Sequence, residues 1–228
     1  MSKIAIVTGS AGNLGSAVTR EMVKSGFQVV GTIEPGKDAP ESAAQIVYKP
    51  VDLMDPGATE TFIHDIFQSY KRIDAVVCLV GGFAMDSVLE VDQDSIMKMI
   101  TLNFFTALNT VQPVLRVLAD KKERIPIILV GAKPVFNSGA AKMTFSYTLS
   151  KTMVVKLAEL LNADPKNKAN VIVIVPSIID TPQNRAAMPN AEFSDWVKPE
   201  SIAEKIAFVC GEGGKDLRDT VLKIYGNS

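Results

Sequence analysis

Short apolar runs alternate with longer stretches of helical spacing along the whole chain. KIAIVT, at residues 3–8, is near-continuously apolar and predicts a buried strand. A glycine-rich turn follows, then LGSAVTREMVKSG, whose apolar positions recur at helical intervals before a stop at Gly26. FQVVGTI predicts a second strand and QIVYK a short third. PGATETFIHDIFQSY begins with Pro56, which suits the first turn of a helix, and runs amphipathic. IDAVVCLVGG reads as a buried fourth strand with a Gly-Gly end. DQDSIMKMITLNFFTALNTVQPVLRVLAD predicts one long helix, bent at Pro113. IPIILVG, NVIVIVP and DTVLKIYG predict strands five, six and seven. Between them FSYTLSKTMVVKLAELLN and PESIAEKIAFVC have helical spacing.

Strands that are apolar on both faces, alternating with helices, belong to a parallel sheet covered on both sides. Right-handed crossovers make it an α/β doubly wound sheet of about seven strands, and the expected order is 3-2-1-4-5-6-7. No internal repeat or linker divides the chain, so residues 1–228 are expected to form a single domain, with a loop at about 177–198 beside the site. Ligands of such sheets bind at the carboxyl ends of the strands, near the switch point between strands one and four.

Bulk properties exclude several classes. The 228 residues are 47% hydrophobic, enough for one full core. With 24 basic and 25 acidic residues and no long charge block, nothing marks a nucleic-acid footprint or a polybasic membrane patch. No secretion signal and no run of membrane-spanning length is seen, so a cytoplasmic protein is expected. Cys78 and Cys210 lie in apolar surroundings and read as buried free thiols. The one histidine, His64, falls on the polar face of a predicted helix, so neither a histidine-based triad nor a metal site is expected.

Candidate chemistry starts at IVTGSAGNLGSAV. Gly9, Gly12 and Gly15 let the backbone turn sharply after strand one, and the following helix N-terminus offers free N–H groups to a pyrophosphate. Ser10, Asn13 and Leu14 complete the turn. Glu34, after strand two, is placed to bind ribose hydroxyls and to repel a 2′-phosphate, which favours NADH over NADPH; Lys37 nearby works in the opposite direction. Asp52 ends strand three, where it could reach the adenine amino group; a helix-capping role for Asp55 nearby is the other reading of this stretch. Gly81 and Gly82 would let the backbone approach the cofactor ribose. In FSYTLSK, Tyr147 and Lys151 share one helix face. A lysine ammonium beside a phenol is expected to lower its pKa, making Tyr147 a proton donor near neutrality.

The glycine turn, the Y-x-x-x-K pair and PSIIDT after strand six together resemble the short-chain dehydrogenases/reductases. The resemblance implies a Rossmann fold, NAD(P)-dependent hydride transfer, Tyr147 as acid and Lys151 as its modulator. It further implies Asn103 of TLNFFTAL as a proton-relay residue. Thr181, with Ile179 before it, would lie against the nicotinamide end. The sequence departs from the family at three places: TGSAGNLG displaces the middle glycine, CLVGG replaces the usual strand-four motif, and LVGAKPVF has Ala132 and Lys133 where a catalytic serine is expected. Ser138 could replace that serine only if its loop folded back.

These departures, together with DTPQNRAAMPNAEFSDW, are similar to the quinonoid dihydropteridine reductases. That resemblance implies reduction of a quinonoid dihydropterin to the tetrahydropterin, which needs no serine hydroxyl. It also implies a homodimer, or a homotetramer built from it. The long helix and the tyrosine helix would supply the contact, with Met97, Phe104 and Met153 as candidates. For the loop, Trp196 is either an anchor or a substrate-stacking surface, Asn184 and Arg185 either brace the loop or line the cleft, and Lys133 either contacts substrate or is solvated. A general carbonyl or quinone reductase and a non-catalytic nucleotide-binding protein are the alternative functions.

Overall fold

The structure is a computed structural model that describes residues 2–41, 43–121, 123–139 and 141–227. Seven strands form one sheet: β1 Lys3–Thr8, β2 Phe27–Ile33, β3 Ile46–Pro50, β4 Ala75–Cys78, β5 Ile125–Val130, β6 Ala169–Pro176 and β7 Val221–Ile224. Their order is β3-β2-β1-β4-β5-β6-β7, and every pairing is parallel. The expected sheet order is therefore the observed one.

Strand alternation divides the core into two faces. From β1, Ile4 and Ile6 point to one cluster with Ile63 of α2 (Pro56–Tyr70), Val111 of the helix after β4 and Val154 of the tyrosine helix. Ala5 and Val7 point to the other, with Val18 and Met22 of α1 (Asn13–Lys24) and Ile202 and Ile206 near the C-terminus. Both faces are covered, which is why the strands are apolar throughout. Asp55 caps α2, accepting from the N–H of Gly57 at 2.8 Å and of Ala58 at 3.3 Å. Asp55 is thus the helix cap expected of it.

The long helix differs from expectation. It runs as α3 (Gln93–Ile100), a π-helical turn (Thr101–Phe105) and α4 (Thr106–Val117). Pro113 lies buried inside α4. The irregularity is the π turn, which carries the buried Asn103. Such one-turn bulges insert a residue into the helix and re-aim its side chains.

The tyrosine helix, α5, spans Phe145–Ala163. After β6 the chain makes an excursion that is stitched at its base. The N–H of Asp180 donates to Val197 O at 2.8 Å, and the N–H of Val197 donates to Ile178 O at 2.9 Å. Within it lie α6 (Pro182–Ala187) and a 3-10 turn at Phe193–Asp195, and it leads into α7 (Pro199–Cys210). No described helix is long and apolar enough to cross a membrane. Cys78 and Cys210 are buried and unpaired, and burial pushes both thiols up to about 12. His64 is exposed on α2.

Candidate active site

The carboxyl ends of β1 to β4 open onto a cleft of about 470 Å³. Gly9, Gly12, Glu34, Asp52, Gly81 and Lys37 are among its lining residues, so six positions singled out from sequence, or next to one, meet there. The glycine turn is closely packed. A Cβ on Gly15 would lie 2.0 Å from the Gly9 carbonyl oxygen, which leaves no room for any side chain. Two residues of the turn serve the scaffold. Ser10 is fully buried, and its hydroxyl donates to Thr32 O at 2.9 Å. Leu14 packs against the core. Asn13 is exposed and donates through Nδ2 to Gln183 Oε1 of α6 at 2.5 Å, joining the loop to the glycine turn. The Asp52 carboxylate accepts from the N–H of Met54 at 2.9 Å at the rim of the cleft.

At the inner end, Tyr147 and Lys151 sit on one face of α5. Lys151 is 6% exposed and donates to Val130 O at 2.9 Å. Its ammonium lies 6.0 Å from the Tyr147 ring centre. Burial pushes the lysine down to about 8 and the tyrosine phenol up to about 12. The expected lowering of the phenol is thus reversed in direction. At this separation, loss of water around the phenol outweighs the attraction of the cation. Tyr147 is a neutral O–H donor near pH 7 in any case, and Lys151 is a cation that releases its proton readily.

Asn103 is 2% exposed. Its Oδ1 accepts from the N–H of Gly82 at 2.9 Å, and its Nδ2 donates to Gly82 O at 3.1 Å and to Ser150 Oγ at 3.0 Å. Ser150 Oγ in turn donates to Tyr147 O at 2.7 Å. A Cβ on Gly81 would lie 2.6 Å from Asn103 Oδ1 and 3.2 Å from Lys151 Nζ, so only glycine leaves that gap open. The π turn, the end of β4 and α5 are thus tied around Asn103.

Two contributors escape sequence reasoning. Ser150 is one. Asp86, on the segment after β4, is the other; its carboxylate accepts from the N–H of Ser146 at 2.9 Å and from the Ser146 hydroxyl. Phe83 of the same segment packs edge-on against Tyr147, with ring centres 5.0 Å apart.

The loop residues are mostly occupied within the loop. Thr181 caps α6, accepting from the N–H of Asn184 at 3.2 Å. Asn184 Nδ2 donates to Ile179 O at 2.8 Å. Arg185 grips Asp180 with two hydrogen bonds, at 2.6 and 2.8 Å, and lies over the Phe193 ring. That contact holds the Asp180 carboxyl below its usual range. Trp196 is 7% exposed and packs on Phe193 at 4.8 Å, which favours the anchor over the stacking surface. Lys133 places its ammonium 5.2 Å from the Tyr225 ring centre. Ala132, 4% exposed, brings no hydroxyl to the end of β5, and Ser138 lies exposed in the following turn. No cluster of His, Cys, Asp or Glu among the described residues could hold a metal.

The short chain dehydrogenase family model matches residues 3–192. The chain belongs to the short-chain dehydrogenase family. Among curated relatives, it is 24% identical to a dihydropteridine reductase of Dictyostelium discoideum over 90% of this chain and 87% of that one. It is 27% identical to a diacetyl reductase of Staphylococcus epidermidis, aligned over 56% of this chain and about half (52%) of that protein's length. Among solved structures, ElxO with NADP bound superposes with a TM-score of 0.89 at 20% identity, covering 99% of this chain and 98% of that one. At that identity the likeness shows the fold. This short-chain dehydrogenase keeps the tyrosine and lysine while placing alanine where a third polar group is expected.

Proposed function

We propose that the protein is an NADH-dependent reductase of quinonoid dihydropterin. The observation that carries this reading is the pairing of Tyr147 and Lys151 on one face of α5 with Ala132 at the end of β5. A ketone developing alkoxide charge gains from a second hydrogen-bond donor. A quinonoid pterin is strongly driven to accept hydride and takes its proton at nitrogen, so one donor suffices. The relation to a dihydropteridine reductase across most of both chains supports the same reading.

The cleft fits a dinucleotide. Gly15 has no room for a side chain, Gly9 holds a positive φ of 65°, and the backbone at Gly81 leaves a gap between Asn103 and Lys151. Bound there, the reduced nicotinamide supplies the hydride. In this reading Gly9, Gly12, Asn13 and Gly15 hold the pyrophosphate, Glu34 the ribose hydroxyls and Asp52 the adenine side, while Ile179 and Thr181 lie against the nicotinamide. Glu34 disfavours a 2′-phosphate, hence NADH. Tyr147 donates the proton from its phenol oxygen, Lys151 is the cation that resupplies it, and Asn103 serves as the relay residue that holds the backbone at Gly82 beside them. Loop residues 177–198 exclude water above the reacting ring.

Apolar side chains of Met97, Leu149 and Leu160 stand exposed at 43%, 41% and 64% on α3 and α5, the surface a homodimer would cover. Phe104, by contrast, packs on the core. Reduction of diacetyl-like carbonyls by the same pair is the second reading, favoured by the diacetyl reductase relative. The test is NADH oxidation with chemically generated quinonoid dihydropterin. Wild type should turn over well above the uncatalysed rate, and Tyr147→Phe should lose about 100-fold or more in kcat. Equal rates for the two proteins would remove Tyr147 from its role.

A further inference from the structure

The tyrosine helix starts without a cap of its own. Thr144 occupies the capping position at φ −142° and ψ 45°, and its side chain makes no capping hydrogen bond. An uncapped first turn leaves N–H groups without partners and lets the helix end fray. Here the missing acceptor comes from a residue 60 positions away: Asp86 Oδ1 accepts from the N–H of Ser146 at 2.9 Å, and Asp86 Oδ2 accepts from the Ser146 hydroxyl. The main chain reinforces it. The N–H of Asp86 donates to Met143 O at 3.1 Å, and the N–H of Phe145 donates to Asp86 O at 3.2 Å. Ser146 is fully buried, so this carboxylate satisfies a group that water does not reach. The next residue is Tyr147, and Phe83, three residues before Asp86, lies against its ring.

We infer that Asp86 is a positioning residue for Tyr147. The inference rests on Tyr147 being the proton donor. The segment after β4 clamps the first turn of α5 through Asp86 and braces the phenol ring through Phe83, so the direction of the phenol O–H is set from outside the helix. A carboxylate at a helix N-terminus is favourable by charge as well as by hydrogen bonding. Asparagine has the same shape, and its oxygen can still accept from the Ser146 N–H while its amide donates to the hydroxyl. Alanine leaves both Ser146 groups without that partner.

The experiment measures kcat, KM and NADH affinity for wild type, Asp86→Ala, Asp86→Asn, Ser146→Ala and Tyr147→Phe, with quinonoid dihydropterin as substrate. Displacing a reacting group by about 1 Å can lower a rate by about 100-fold. Asp86→Ala should therefore lose about tenfold or more in kcat, with NADH affinity within about twofold of wild type. Asp86→Asn should return to within about threefold of wild type, and Ser146→Ala should fall between. An unchanged kcat in folded Asp86→Ala overturns the inference. So does a parallel fall in kcat and NADH affinity, which reports general loosening. If Asp86→Ala does not fold, Ser146→Ala decides: a wild-type kcat there overturns the inference. If Tyr147→Phe itself turns over normally, the reading of Tyr147 fails instead.

Discussion

Lys151→Met should make the protein more stable while removing its turnover. Lys151 is 6% exposed and its ammonium is pushed from 10.5 to about 8 by burial. Each pKa unit corresponds to about 1.4 kcal/mol, so holding this cation in the folded protein at pH 7 costs about 3 kcal/mol. Methionine keeps the length of the side chain without the charge. It gives up the hydrogen bond to Val130 O, worth about 1 kcal/mol. The net gain is about 2 kcal/mol, which for a chain of this size raises Tm by about 4 to 8 °C. The sign with pH follows from a folded-state pKa below the unfolded one. Between pH 8 and 10.5 the unfolded chain still binds the proton and the folded chain does not, so wild-type stability from this group rises with pH. The advantage of the methionine variant should therefore shrink between pH 7 and pH 9.5, by about half of the charge-burial cost. Tyr147, pushed up to about 12, acts with the opposite sign above pH 10, so the comparison stops short of it. Thermal unfolding of both proteins at the two pH values is the assay. A variant that melts at or below wild type at pH 7, or an advantage that grows with pH, would refute the reasoning.

Other outcomes follow from the cleft. Ala132→Ser restores a hydroxyl at the end of β5 and should raise kcat/KM for diacetyl by about tenfold or more, leaving pterin turnover within about twofold; steady-state rates on both substrates decide it. Gly15→Ala drives a methyl against the Gly9 carbonyl oxygen and should cost about 1 to 3 kcal/mol in urea unfolding, with NADH binding weakened by about tenfold or more in a fluorescence titration. Glu34→Arg should move the preference from NADH to NADPH, read as a reversal in the ratio of their Michaelis constants.

The sheet was legible because its signals are local. Buried strands such as IAIV and VIVIV need no partner to be recognised, and right-handed crossovers narrow the orders to a few, of which 3-2-1-4-5-6-7 is the expected one. The glycine turn and the Tyr147–Lys151 pair were visible for the same reason, since each is a short spacing on one element. The π turn at Thr101–Phe105 was not, because one inserted residue barely disturbs an apolar pattern already dense on both sides. Pro113 lies inside α4, about two turns beyond the π turn, and gave no hint of it. Asp86 and Ser150 were invisible because their partners lie 60 and 47 residues away. Two alternatives that sequence left open have a physical tilt in the structure. Arg185 has a carboxylate five residues away and an aromatic face to lie on, so it braces the loop. Trp196 turns its ring to Phe193. The pKa of Tyr147 was misjudged in direction because sequence shows the neighbouring lysine and hides the burial of both.

The central claim is that a single donor, Tyr147, serves a substrate that needs no second one. Its most direct test compares kcat/KM for quinonoid dihydropterin and for diacetyl, side by side with NADH. The pterin should be preferred by about 100-fold or more, the worth of a missing alkoxide donor. Diacetyl turned over as efficiently as the pterin would contradict the account.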